Sequence, residues 1–460
     1  MDSTVKPGRS VWSSKMAFVL SAAASAVGLG SIWRFPYLAA KYGGGTFLLT
    51  YLVFVFTIGI ALLLLETALG RKTGQSAIGA YKAFNKKGAF IGIMASVIPF
   101  IIAPYYCVIG GWVSKYAVIY FSETPAGVAD GGTLFTNFIT SGTESIIFML
   151  LFMAITYLIV ALGVNDGVEK ANLIMMPLLI VMALGIAIYA LTLPGAWEGV
   201  AYYLVPDFSK FSPELILAAL GQTFFGLSLS VGIMITYGSY AAKSTKLTSS
   251  AGQIAGTTSA ISILAGLMIV PATFAALGSA EAVAENSGPS LMFLILPQVF
   301  ESMGSAASVM GIIFFILIFF AALTSSISLV ETCTSIFQDG ANWTRRRSLI
   351  TSIILITVAG VVVNLGFSAL CWIQPMGEGS SILDFLDFAT NSVMMPFVGL
   401  LTCVFIGWVV KPGVLVNEIK ESSEFKAEKL WIVTIKYIAP VVMLIIMIAS
   451  TAQGLGLLSL

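Results

Sequence analysis

The chain contains no histidine. That absence removes the commonest general base, the usual imidazole metal ligand and any Ser-His-Asp triad, so hydrolytic chemistry has no obvious starting point. Charge is scarce as well: 10% of the 460 residues are Asp, Glu, Lys or Arg, whereas 58% are hydrophobic and the mean hydropathy is +0.97. A soluble globular domain carries about 25% charged residues, so this composition excludes that class. Only four cysteines occur, Cys107, Cys333, Cys371 and Cys403, all in apolar segments and without metal-like spacing. They read as small core residues. Long polar stretches are also missing, the longest being loops of roughly twenty residues. The chain therefore reads as one membrane body over residues 1–460.

What is present in quantity is apolar sequence. Eleven runs, near 16–37, 46–70, 89–121, 145–163, 171–192, 214–240, 249–278, 306–338, 347–368, 381–410 and 430–453, are each long enough to cross a hydrocarbon core of roughly 30 Å. Assigning loops to alternate sides places nineteen of the 23 lysines and arginines on one side. By the positive-inside rule that side is the cytoplasm, which puts the N-terminus inside and, after an odd number of crossings, Leu460 outside. The polar, basic start leads into the first run without a small-residue cleavage site, so no signal peptide is expected.

Two runs are not plain spans. Ser21-Ala-Ala-Ala-Ser-Ala-Val-Gly-Leu-Gly30 and Gly221-Gln-Thr-Phe-Phe-Gly-Leu-Ser-Leu-Ser-Val-Gly232 cluster glycines and hydroxyls at mid-span. Backbone freed at that depth is tolerated only where it is buried in protein or lines a cavity, and two such breaks in matching positions point to a transporter's binding site.

Ionisable residues inside spans are functional hypotheses by default. Arg34 and Asp387 both fall on the outer side of the midplane and suggest a water-bridged pair closing an outer vestibule. Glu66, Glu331 and Asp384 are the other candidates, with snorkelling to an interface the plainer reading for Glu66 and Asp384. At the inner end Arg9, Trp12, Tyr240 and Asp339 could form a matching latch or serve as interface anchors. The hydroxyl run Leu323-Thr-Ser-Ser-Ile-Ser328 is open to two readings: back-bonding within its own helix, or supplying neutral oxygens to sodium, a hard cation that needs no carboxylate.

These residues resemble the neurotransmitter:sodium symporter family, whose bacterial members carry amino acids. The stretches that carry the resemblance are Ala26-Val-Gly-Leu-Gly-Ser-Ile-Trp-Arg-Phe-Pro-Tyr37, Gly43-Gly-Gly45, Thr236-Tyr-Gly-Ser-Tyr240 and Leu323-Thr-Ser-Ser326. The resemblance implies an all-α polytopic fold of about eleven spans, with a five-plus-five inverted repeat (about 12–195 and 212–412), an extra span near 430–453, and discontinuous first and sixth helices. It also implies uptake by alternating access rather than enzymatic catalysis.

Carried over position by position, the resemblance puts sodium on carbonyls of Ala24, Val27 and Ala321 and hydroxyls of Thr324 and Ser325. The substrate pocket it implies comprises Ser25, Ala26, Leu29 and Gly30 of the first span; Ile102 and Tyr106 of the third; Phe225, Gly226, Ser228 and Val231 of the sixth; and Ser325 and Leu329 of the eighth. Phe225 resembles the aromatic lid, Arg34 with Asp387 the outer gate, and Arg9 with Asp339, Trp12 and Tyr240 the inner one. Gly28 stands where monoamine carriers have an aspartate, which implies a substrate that brings its own carboxylate.

A second sodium site would fall on Ala26, Ser31, Gly226 and Thr258, where the family's longer oxygen-bearing side chains are shortened or lost. One strongly bound Na+ is therefore expected, with water or nothing in the other place. Chloride is not expected, because Tyr51, Gln222 and Ser262 are present but Gly226 lacks a hydroxyl. The expected partners are a small neutral, hydrophobic amino acid and the lipid bilayer of the cytoplasmic membrane; no nucleic acid and no obligate protein partner are implied.

Overall fold

The computed structural model describes residues 10–122, 127–128, 131–279, 281–286 and 288–457. Among the described residues the regular structure is helical, and the only β pairing is an isolated bridge between Gly44 and Pro206. Among the described residues nine helices are long and apolar enough to span a bilayer: Gly45–Thr73, Lys86–Ser122, Gly142–Ala161, Val164–Leu191, Leu247–Leu277, Gly304–Gly340, Arg345–Leu365, Ile382–Val410 and Glu428–Gly454. A tenth crossing is a bent pair, Lys15–Ala26 and Gly30–Lys41, whose halves diverge by 62°. The remaining crossing consists of two short helices, Pro213–Gly226 and Ile233–Ser239, joined by residues 227–232. In chain order the interrupted helices are the first and sixth, consistent with two repeats of five.

Each span faces two apolar environments, lipid and protein, so hydrophobicity alone cannot orient it; side-chain size can. In Val164–Leu191, Ile174, Val181 and Ile188 repeat every seven residues and are more than 60% exposed, while Met176, Leu179, Ala183 and Ala190 face inward. Small residues set the closest approaches. A Cβ on Gly70 would lie 1.9 Å from the Ile235 carbonyl, and one on Gly238 would lie 2.4 Å from the Thr67 carbonyl. The second span and the inner half of the sixth therefore pack backbone to backbone, which fixes the sixth helix on the inner side of its break.

Segments that read as loops contain helices of their own, including Ala77–Phe84, Ala196–Leu204 and Gly413–Lys420. Their alternation of apolar and polar residues is too short to show in a span-length window. One cysteine also departs from expectation: Cys107, Cys333 and Cys403 are buried, but Cys371 is exposed, because the chain beyond Leu365 leaves the helix and runs through turns.

The helix Gly413–Lys420 is held to the body by one buried carboxylate. Glu418 is fully buried and accepts from Arg71 Nε at 2.7 Å and from Lys243 Nζ at 2.7 Å on each oxygen. Arg71 also donates to the Glu418 and Thr245 carbonyls, tying the end of the second span to the segment that follows the sixth. Burial pushes the Glu418 carboxyl up, but the Lys243 hydrogen bonds and the Arg71 and Lys243 charges outweigh it and hold the group below its ordinary value of 4.5. A depressed carboxyl contributes stability above its unfolded value and loses that contribution as pH falls below about 4.5. Glu418→Ala leaves the buried Arg71 guanidinium uncompensated and is expected to cost about 3 kcal/mol. A lower melting temperature in detergent, with a shallower acid limb below about pH 4.5, checks this.

Candidate functional site

The first helix loses its ladder at Val27. Gly28 N–H, which would continue the ladder to Ala24 C=O, donates instead to Ala26 C=O at 3.1 Å, and Ser31 N–H donates to Gly28 C=O at 3.1 Å rather than to Val27. Leu29 N–H is taken by Tyr106 Oη at 3.1 Å. The carbonyls of Ala24 and Val27 thus lose their helical donors, whereas the Ser25 carbonyl accepts from Ser325 Oγ at 3.0 Å and Ser228 Oγ at 3.3 Å.

The sixth helix runs to Gly226, after which Ser228 and Ser230 adopt φ of 51° and 63° and Gly232 a φ of 79°. A left-handed non-glycine residue costs about 1 kcal/mol. Both serines are held by groups from elsewhere: Ser228 Oγ donates to the Ser25 carbonyl, and Ser230 N–H donates to Glu66 Oε1 at 2.7 Å. Both interruptions are narrower than the sequence windows 21–30 and 221–232, because Ser21–Ala26 and Gly221–Gly226 keep their helical form.

Between the breaks lies a cavity of about 60 Å³, room for roughly four waters. All twelve pocket residues named from sequence line it: Ser25, Ala26, Leu29 and Gly30; Ile102 and Tyr106; Phe225, Gly226, Ser228 and Val231; Ser325 and Leu329. Three further lining residues were not anticipated: Gly28, Ile233 and Met395. Gly28 was considered for its chemistry, not as a wall, while Met395 sits in a tenth span whose outer carboxylates alone drew notice. Two glycines are required by close approach. A Cβ on Gly30 would lie 2.1 Å from the Phe225 ring, and one on Gly28 would lie 2.6 Å from both Ser325 Oγ and Tyr106 Oη.

The hydroxyl run divides between its two readings. Ser328 back-bonds to Thr324 C=O at 2.9 Å, and Ser326 meets Thr156 and Cys107. Thr324 Oγ1 donates to Ala321 C=O at 3.1 Å, and Ser325 reaches across to the first span. A hydroxyl that donates its hydrogen to a carbonyl keeps its lone pairs for a cation. Among the described residues no group of three or more Asp, Glu, Cys or His could hold a metal, so any cation here depends on neutral oxygens.

The other set is differently furnished. Ser31 Oγ is 3.5 Å from Ala26 C=O, a carbonyl that already accepts Gly28 N–H. Thr258 Oγ1 and Gln222 Oε1 are buried without partners, and the space beside Gly226 is open, a Cβ there finding nothing closer than 3.5 Å.

Outside the chamber a vestibule of about 390 Å³ shares Leu29, Gly30, Tyr106 and Phe225 with it and is also lined by Arg34 and Asp387. Those two residues face the same space without a direct ion pair. Asp387 accepts from Asn391 Nδ2 at 2.6 Å, and the Arg34 guanidinium lies 5.2 Å from the centre of the Phe225 ring. Asp384 is exposed, completes a capping box by accepting from the backbone N–H of the N-cap Ser381 at 2.8 Å, and lines the same vestibule.

On the inner side the chain is closed. Trp12 donates its backbone N–H to Tyr240 C=O and its indole N–H to Tyr237 C=O, each at 3.0 Å, with its ring edge-on to both tyrosines. Asp339 accepts from Ser76 N–H at 2.6 Å. Arg9 lies outside the described residues. The sequence did not reveal that Glu331, fully buried, takes Arg345 at 2.6 Å and Tyr240 Oη at 2.8 Å. Arg345 had counted only toward topology, yet its side chain reaches back from the next helix. Glu66 corrects the snorkelling reading: it is 3% exposed and directed at the sixth-helix break.

The chain is similar throughout its length to known proteins. It is 36% identical over 444 residues to an uncharacterized sodium-dependent transporter, YhdH, of Bacillus subtilis, covering 95% of this chain and 96% of that one. It is 34% identical over 464 residues to an uncharacterized sodium-dependent transporter of Haemophilus influenzae, covering 96% and 98%. Its structure matches the crystal structure of MhsT in complex with L-phenylalanine with a TM-score of 0.84 at 38% identity, over 96% of this chain and 100% of that one. With residues 9–127 and 134–456 matching the family model, the chain belongs to the sodium:neurotransmitter symporter family.

Proposed function

We propose that this protein takes up a small neutral, hydrophobic amino acid together with one sodium ion, by rocking of two repeats (about 12–195 and 212–412) around the chamber. The observation that carries the reading is the release of the Ala24 and Val27 carbonyls from the helical ladder, in a first span that Ser325 already bridges to the eighth. With Ala321 C=O and the Thr324 and Ser325 hydroxyls they make five neutral oxygens, a set suited to an alkali cation. A cation there joins the first and eighth spans and so favours the arrangement in which they meet; only such differential affinity shifts a conformational equilibrium.

The substrate carboxylate would meet Tyr106 Oη and the N-terminal end of Gly30–Lys41, where unsatisfied N–H groups and the helix dipole favour an anion. Lack of space at Gly28 supports this, since a side-chain carboxylate at that position has no room beside Ser325 and Tyr106. Ile102, Phe225, Val231 and Leu329 give the side-chain end an apolar lining, which fits a neutral hydrophobic group. The bound L-phenylalanine of MhsT is of the same class.

The short side chain at Ser31 and the lack of any side chain at Gly226 favour a single coupled sodium, and the missing hydroxyl at Gly226 favours no chloride requirement. Per sodium, about 2.3 kcal/mol comes from 100 mV and about 1.4 kcal/mol from a tenfold gradient. The sum supports roughly 500-fold accumulation. We place the protein in the cytoplasmic membrane with its N-terminus inside and its C-terminus outside, acting without an obligate protein partner and without altering its substrate chemically.

Three outcomes follow. Thr324→Ala with Ser325→Ala should abolish sodium-stimulated uptake in proteoliposomes while leaving the detergent-purified protein folded. Reversal-potential measurements should give one sodium per amino acid; a ratio of two refutes the single-ion assignment. Gly28→Ala pushes a methyl group against Ser325 and Tyr106 and should weaken sodium-dependent binding of L-phenylalanine at least about tenfold, the equivalent of roughly 1.4 kcal/mol.

A further inference from the structure

Four carboxyl groups are almost wholly buried among the described residues: Glu66, Glu169, Glu331 and Glu418. Glu331 is paired with Arg345, and Glu418 with Arg71 and Lys243. Glu169 sits at the inner end of its span and accepts from Ser13 and Asn165. Glu66 has no cation at all. Its Oε1 accepts the Ser230 N–H at 2.7 Å, and its Oε2 is buried without a partner.

The elements packed around Glu66 offer it no cation: Lys82 of Ala77–Phe84 is exposed, and Lys420 of Gly413–Lys420 is paired with Glu428. Leu247–Leu277 contains no ionisable side chain. Tyr237, on the inner half of the sixth span, donates to Ser328. Tyr81, on Ala77–Phe84, is hydrogen-bonded to Thr402, and Cys403 is a buried thiol; both are neutral at physiological pH. Glu418 of Gly413–Lys420 is already paired, and Lys436 of the eleventh span lies over the Trp408 and Tyr437 rings. Within its own helix, Arg71 is committed to Glu418 and Lys72 reaches the same carboxylate.

Two protonation states are thus open to this group. A neutral acid here leaves one O–H unsatisfied, the cost of a single missing hydrogen bond. An isolated carboxylate at the same depth costs far more by Born solvation, so such a group takes up a proton instead. We propose that Glu66 is a proton-binding site: a carboxylic acid, protonated on Oε2 from bulk water, whose other oxygen holds the left-handed Ser230 and so fixes the break of the sixth helix in the inward-closed state. Ionisation would strand a charge against that break. Proton occupancy therefore ties the inner half of the sixth span to pH, through a residue that touches neither the chamber nor the sodium oxygens.

Glu66→Gln mimics the neutral acid and keeps an oxygen for Ser230 N–H. Infrared difference spectra of purified wild type against E66Q in liposomes at neutral pH should show a protonated-carboxyl carbonyl band that the variant lacks. Thermal unfolding should show a gap in favour of E66Q that widens as pH rises above the ordinary carboxyl value of about 4.3 for as long as the folded group keeps its proton, since an acid that stays protonated only when folded weakens the folding equilibrium about tenfold per pH unit. Neither readout requires substrate or transport, so failure here is distinguishable from failure of the transport reading. Loss of a carboxylate band in place of the acid band, or a stability gap independent of pH, overturns the proposal. If E66Q does not fold, Glu66→Asp decides: the acid band must shift in that variant, and an unchanged band refutes the assignment.

Discussion

Water is missing from the bilayer core, and from that the architecture follows. Every backbone N–H and C=O at that depth needs a partner inside the protein, so a break in a helix survives only where side chains or other backbone groups take over the abandoned bonds. In this chain the takeover can be traced donor by donor. Tyr106 accepts Leu29 N–H, Glu66 accepts Ser230 N–H, and Ser228 and Ser325 cover the Ser25 carbonyl. The Ala24 and Val27 carbonyls lose their helical donors, and on the proposed function these are the oxygens a cation would use.

The rest of the fold serves those two breaks. Gly70 and Gly238 bring the second span against the inner half of the sixth at backbone distance, which carries Glu66 to Ser230. The third span delivers Ile102 and Tyr106, and the eighth delivers the hydroxyls. Closure through Trp12, Tyr237 and Tyr240 on one side of the chamber, set against an open vestibule above Phe225 on the other, leaves the chamber nearer to the vestibule side. Glu331 with Arg345 and Glu418 with Arg71 and Lys243 anchor that closed face through two fully buried carboxylates, each paired with a cation.

Much of the site was legible because its chemistry is unusual for a membrane. Glycines, serines and a hydroxyl run at mid-span have few structural explanations, and every pocket residue that the family resemblance implies lines one cavity. What escaped was of two kinds. Met395 and Ile233 are ordinary apolar residues in apolar helices and differ from their neighbours only in the direction they face. Arg345 and Glu66 belong to pairings or vacancies that depend on which helix stands opposite, so one was read as a topology marker and the other as a snorkelling end group.

The sequence by itself determined the class of protein, the number and approximate bounds of its crossings, the two interruptions and the absence of histidine chemistry, because hydropathy and backbone-breaking composition act locally. Only the tertiary structure decided which freed carbonyls found new donors and which did not, that Ser228 and Ser230 take left-handed backbone, that Gly28 has no room for a side chain, and that Glu66 is buried without a counter-charge. Each of these is a relation between helices far apart in the chain, set by how closely their backbones approach, and no local pattern records that distance.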